Sequence, residues 1–246
     1  MSFVNPLPTT AAPQGWPTSL HWTPEWAALL DPVHPACVFV YSEGRSSQWN
    51  PFEADAVAAL VRLLHSRLAA GPAGEREPST GAILPTPTTT YQEVDFWARG
   101  VGIVTPHRAQ QALIIARLRH VFSGAGLDPS LIRDAVDTVE RFQGQQRDVI
   151  IASYALGDND AIRDEDEFLM SLNRFNVMVS RARAKMILLV TQEVVNHLAD
   201  DLDVLRESRL IKTFAETFCD QYRPMTLGHL VSGGPELVEG VFKYRA

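Results

Sequence analysis

Leu172-Asn-Arg-Phe-Asn-Val-Met-Val-Ser-Arg-Ala-Arg-Ala-Lys-Met-Ile-Leu-Leu-Val190 decides the fold. Its first half predicts a helix on which Arg174 and Arg181, seven residues apart, share a face and bracket an apolar Val-Met-Val stretch. Its second half, Met186 to Val190, is a continuous apolar run of the kind buried in a sheet. Working outward, the same alternation repeats. Val149-Ile-Ile-Ala-Ser-Tyr154 predicts a strand and Val136 to Val139 a short one. Val101-Gly-Ile-Val-Thr105 predicts another, followed after Pro106 by a helix marked by Ala112, Ile115, Leu118 and Val121. Ala36-Cys-Val-Phe-Val-Tyr41 precedes a helix opened by Asn50-Pro-Phe-Glu53, with Ala56, Leu60, Leu63, Leu64 and Leu68 at three- and four-residue spacing. Apolar strands alternating with helices imply an α/β fold, with a mainly parallel sheet covered on both faces.

The flanks read differently. Residues 1–35, rich in proline and carrying Trp16, Trp22 and Trp26, have no lasting period and predict an extended lead-in. Residues 71–95 predict a mobile surface loop or insertion inside the central domain, 36–195. Ala155 to Glu167 reads as an acidic, turn-rich loop. Residues 196–246 are expected to form a helical tail, helical to about Cys219 and containing glycine and proline beyond it.

Composition bounds the function. A chain of 246 residues, 46% hydrophobic and 21% charged, buries a core of its own. Its net charge of −7 excludes a broad basic face for nucleic acid and leaves room for a narrow groove. Cys37 and Cys219 form no metal-binding or disulfide pattern, no apolar run is long enough for a membrane span, and the start lacks signal-peptide order, so a cytoplasmic location is expected. Lys185, Lys212 and Lys243 are its lysines, and none follows glycine, so no Gly-Lys-Ser/Thr phosphate loop is present. The run Asp164-Glu-Asp-Glu167 does not end a buried strand, as a magnesium-binding pair should, and no metal site is expected. The histidines make no zinc spacing, and there is no Gly-x-Ser-x-Gly elbow.

Three segments carry chemistry: Val104-Thr-Pro-His-Arg-Ala-Gln110, Thr138-Val-Glu-Arg-Phe-Gln-Gly-Gln-Gln-Arg-Asp148, and Leu172 to Arg183. A strand ending at Thr105-Pro106 and turning into a helix leaves backbone N–H groups at the carboxyl edge of a sheet, suited to a phosphate. Gln143-Gly144 allows close backbone approach to a ligand. In content and order these segments resemble motifs IV, V and VI of the second RecA-like domain of superfamily 1 helicases, within the AAA-type P-loop NTPase class. The branch most resembled contains the nonsense-mediated-decay helicase and the Okazaki-fragment nuclease-helicase. The resemblance covers roughly residues 48–192, and Asn50-Pro-Phe-Glu-Ala54 resembles the Asn-x-x-Glu-Ala element that opens this domain's first helix.

The resemblance implies a RecA-like three-layer αβα sandwich and assigns roles. Thr105, Pro106, Arg108, Gln110 and Thr138 would meet single-stranded DNA or RNA, with His107 beside them. Gly144, Gln146, Arg174 and Arg183 would lie near ATP, and Arg181 would be the arginine finger. Gln146 stands where relatives often have glutamate, a departure that keeps hydrogen bonding and removes a charge. ATP with Mg2+ would bind only when a first RecA-like domain supplies the missing phosphate-loop lysine and Asp-Glu pair. The expected function is the C-terminal half of an ATP-dependent helicase, inactive alone. The alternative is a non-catalytic RecA-like binding or regulatory module. A nuclease has only Glu236, Glu239 and Lys243 in its favour, and Gln221-Tyr-Arg-Pro-Met225, similar to a helicase segment, stands at the wrong end of the chain.

Overall fold

The computed structural model describes residues 1–70, 74–77, 79–81, 83–85, 89–142, 144–231 and 234–246. Its central element is an eight-stranded sheet built from β1 (Leu20–His21), β2 (Ala36–Tyr41), β3 (Val101–Thr105), β4 (Val136–Thr138), β5 (Arg147–Ser153), β6 (Ala182–Thr191), β7 (Gln221–Val231) and β8 (Gly234–Tyr244). The spatial order is β1-β7-β8-β2-β6-β5-β3-β4. The five strands β2, β6, β5, β3 and β4 run parallel, while β8, β7 and β1 extend the sheet antiparallel beyond β2. This is the mainly parallel α/β architecture that the apolar runs predict, consistent with a RecA-like fold.

Side chains alternate between two cores, as strand geometry requires. Cys37, Phe39, Tyr41, Ile103, Ile151 and Ile187 face one layer, with helices α1 (Pro51–Leu64), α2 (Arg108–Val121) and α3 (Pro129–Ala135). Val38, Val40, Val104, Ile150, Ala152 and Leu188 face the other, with α4 (Leu172–Ser180) and the short helices after Thr191. Helix α1 starts as its sequence dictates: Asn50 Oδ1 accepts the Glu53 N–H at 3.0 Å and Pro51 fills the first turn. It is buried on nearly every side because the lead-in crosses it. Trp16 meets Trp22 and Trp26 edge to face, at centroid distances of 4.9 and 5.7 Å.

Two expectations need correction. The region 196–246 is helical only as far as Phe218. Gln221–Val231 and Gly234–Tyr244 are antiparallel strands pairing from Gln221↔Tyr244 to Val231↔Gly234. Pro224, Gly228, Pro235 and Gly240 break any helical period there, and Met225 and Leu227 are buried at the two-residue spacing of a strand. The acidic stretch after Tyr154 holds two short helices, Asn159–Asp164 and Asp166–Leu169, rather than a plain loop. Asp158 caps the first by accepting the N–H groups of Asp160 and Ala161, and Ile162 and Leu169 anchor the pair in the core. Within 71–95, residues 71–73, 78, 82 and 86–88 lie outside the described residues. The described part includes the paired segments Gly74–Arg76 and Ile83–Pro85.

Buried charge ties the β7–β8 pair to the helices. Asp55 on α1 is 2% exposed and lies 2.8 Å from Arg117 Nε on α2 and 3.2 Å from His229 Nε2 on β7. One carboxylate thus links three elements distant in sequence.

Candidate functional site

Because β2 to β6 run parallel, the chain has two chemically distinct sheet edges. At the carboxyl edge lie Thr105-Pro106, Thr138, Ser153 and Thr191; at the amino edge lie Arg147 and Ala182, the paired first residues of β5 and β6.

The first turn of α2 stands at the carboxyl edge. His107 occupies its N-cap position without a side-chain cap, so the opening N–H groups lack the satisfaction Asn50 gives α1. Arg108 is exposed beside them. The Thr105 hydroxyl is buried, 0% exposed, and has no hydrogen-bond partner among the described residues, so it faces packing rather than open surface. Pro106 is buried with it. His107 is 8% exposed, with Nε2 3.5 Å from Glu165. Burial pulls its pKa below the ordinary histidine range, against the opposing pull of Glu165 and Glu140. Thr138 ends β4 nearby and is 8% exposed.

Gln110 has a different task from the strand contact its motif implies. It is 0% exposed; its Oε1 accepts the Asn50 N–H at 2.9 Å, and its Nε2 donates to Ser153 Oγ at 2.9 Å and the Asn50 carbonyl at 3.3 Å. All its polar capacity locks α1 and α2 to β5. Ser153 Oγ in turn donates to Glu53 Oε2 at 2.5 Å, which also accepts the Ala155 N–H at 2.9 Å, while Tyr41 Oη donates to Glu53 Oε1 at 2.8 Å. Burial raises Glu53 from 4.5 to about 7, against the lowering effect of these three hydrogen bonds. Tyr41, Ser153 and Ala155 are not recognisable from sequence as partners of Glu53, because the contacts span up to 102 residues.

The second and third segments run side by side across one face of the sheet. Residues 139–146 connect the carboxyl end of β4 to the amino end of β5, with Val139 and Phe142 packed in the core that also receives Phe175 and Met178 of α4. Gln143 lies outside the described residues. Gly144 has φ of +79° with open space where a side chain would project, so glycine suits this turn. Gln146 is exposed. The next residue, Arg147, donates its N–H to the Arg181 carbonyl at 3.1 Å, which brings the two segments together at the amino edge.

The arginines differ in their partners. Arg174, in the first turn of α4, pairs with Glu140 at 2.9 Å and lies 4.1 Å over the Phe168 ring. Arg183 pairs with Asp148 at 2.8 Å, donates to the Arg99 carbonyl at 3.0 Å, and shares Asp148 with the Tyr91 hydroxyl. Arg181 is half-buried; its Nε reaches the Val177 carbonyl at 3.3 Å, and no carboxylate among the described residues pairs with it. None of the three pairs with the carboxylates of Asp164 to Glu167. Among the described residues no group of three or more His, Cys, Asp or Glu side chains is placed to hold a metal ion, and no helix is long and apolar enough to cross a membrane.

Comparison with known proteins adds family information to this geometry. Residues 33–193, about two thirds of the chain, match the AAA domain family. The chain is 35% identical over 105 residues to the probable RNA helicase armi of Drosophila melanogaster, covering 41% of this chain and 8% of that protein. It is 36% identical over 95 residues to the probable helicase senataxin of Mus musculus, covering 39% and 3% respectively. It is also 36% identical over 101 residues to the RNA helicase Mov10l1 of Homo sapiens, covering 40% and 8%. The chain therefore matches less than a tenth of the length of each of these relatives. On the family match and these similarities, the chain belongs to the AAA domain family and is a helicase-related member of it.

Proposed function

We propose that this chain is the second, C-terminal RecA-like motor domain of an ATP-dependent superfamily 1 helicase, acting on single-stranded DNA or RNA. The branch proposed is the one the motifs resemble, and the location proposed is the cytoplasm. The observation that carries the reading is Arg181: a half-buried guanidinium without a carboxylate partner among the described residues, set between two neighbours whose charges are neutralised. An unpaired charge in that position favours an anionic ligand.

The residues present fit one wall of a nucleotide site. Gly144 leaves open space, Gln146 offers an exposed amide, and Arg181 and Arg183 stand at the same edge. Bound ATP with Mg2+ would supply the phosphoanhydride whose cleavage drives the motor, and the lysine and acidic pair that hold it would come from a preceding domain. Arg181 would orient and neutralise phosphate charge, with α4 and the 139–146 segment fixing its position. At the opposite edge, Arg108 and the uncapped N–H groups of α2 would meet a nucleic-acid phosphate, with Thr138 beside them. Thr105 and Pro106 would shape that edge from beneath.

The test joins this chain to a domain carrying the phosphate-loop lysine and the Asp-Glu pair, and measures ATP turnover with single-stranded DNA and RNA. Turnover should require both parts and fall about a hundredfold or more in Arg181→Ala. Undiminished turnover in that variant would remove the finger assignment. No turnover in any combination, with folding retained, would favour the non-catalytic module.

A further inference from the structure

At the carboxyl end of β2 the sheet changes width. Strand β8 pairs with β2 only from Gly240↔Tyr41 to Tyr244↔Cys37, while its pairing with β7 continues to Gly234. Past Tyr41 the chain turns away through residues 42–50, but β8 runs on for Gly234–Glu239, about 20 Å of extended backbone. No described strand takes the position β2 vacates. The backbone groups of Pro235–Glu239 that point toward it therefore have no ladder partner there among the described residues.

The vacated lane opens into a cavity of about 620 Å3, walled on one side by Tyr41–Glu43, Arg45–Ser47 and Trp49–Phe52 and on the other by His229 and Glu236–Glu239. Two large apolar side chains stand open around it, Trp49 at 53% and Leu237 at 66% exposure. The charge is lopsided: Glu43, Glu236 and Glu239 face it with one guanidinium, Arg45, which is 88% exposed and only 3.9 Å from Glu236.

We infer that this lane is a docking site for an extended segment of a partner protein, carrying alternating apolar and basic side chains and adding to β8 as a strand. The unpaired backbone supplies hydrogen bonds, and Trp49 and Leu237 supply anchors for alternate side chains. Three carboxylates select positive charge and repel a phosphodiester strand. The same carboxylates oppose edge-to-edge pairing with a second copy of the β7–β8 pair.

The experiment titrates the full chain with a blocked synthetic peptide of alternating valine and lysine, its valine–glutamate counterpart, and oligothymidylate. Backbone amide shifts of Glu236–Glu239 and Trp49 fluorescence are followed together. The lysine peptide should move both signals. The glutamate peptide and oligothymidylate should leave them unchanged, and methylating the peptide nitrogens along one edge should weaken binding about tenfold. In Glu236→Lys/Glu239→Lys, two exposed changes, the preference should swap to the glutamate peptide. Equal response to both peptides, no response to the lysine peptide, or displacement by oligothymidylate would overturn the inference. None of these signals depends on Arg181 or on ATP.

Discussion

Glu53→Gln isolates the energetics of a buried carboxyl. Glu53 is 0% exposed, and burial is the largest influence holding its pKa near 7, reinforced by Glu43 and opposed by Ser153, Tyr41 and Ala155. A carboxyl whose pKa is raised on folding binds its proton more tightly in the folded state. Its stabilising contribution is complete below pH 4.5 and lost as pH rises through about 7. The displacement from 4.5 to about 7, at roughly 1.4 kcal/mol per pH unit, amounts to about 3 kcal/mol. Glutamine cannot ionise and should remove that slope. It also presents an NH2 group to Tyr41 Oη, which already accepts from Asn50 Nδ2 at 2.9 Å, so it should cost about 1 kcal/mol at low pH. Urea unfolding of both proteins from pH 4.5 to 8 gives the measurement. The parent's advantage over the variant should shrink by about 3 kcal/mol across that range and change sign. Parallel stability curves would refute the argument and show that folding leaves the proton affinity of Glu53 unchanged.

Other outcomes follow from single contacts. A Cβ on Gly157 would lie 1.9 Å from the Glu43 carbonyl oxygen, so Gly157→Ala should displace the backbone after Tyr41 and destabilise by about 1–3 kcal/mol; an unchanged melting temperature would contradict this. Asp55→Ala leaves His229 buried without its carboxylate and Arg117 half-exposed. About 2 kcal/mol should be lost, with faster amide exchange at Gly228–Leu230. Arg174→Ala removes a partly exposed pair with Glu140 and should change stability by no more than about 1 kcal/mol, so any large fall in turnover of a completed motor would reflect its site rather than its fold.

The parallel strands were legible because each is a short apolar run between turn signals, and β3 appears with the bounds its sequence predicts, Val101–Thr105. Asn50 and Pro51 marked the start of α1 for a local reason, a cap and a first-turn proline. The β7–β8 pair was obscured because residues 234–239 lie mostly in solvent and carry no alternating apolar face. Gln110 shows another limit. Its motif resembles one that contacts nucleic acid, but whether its amide points outward depends on Asn50 and Ser153, brought to it by tertiary folding. The resemblance separates Arg181 from Arg174 and Arg183, but which guanidinium is paired depends on where folding places Glu140 and Asp148.

Helix α4 spans the depth of the sheet, from Arg174 against Glu140 at one end to Arg181 beside Arg147 at the other. Nine residues of helix form a stiff rod about 14 Å long, held along its side by Phe175 and Met178. A displacement of Glu140 therefore acts like force on one end of a strut: the rod has little room to compress, and the far end carrying Arg181 must move with it.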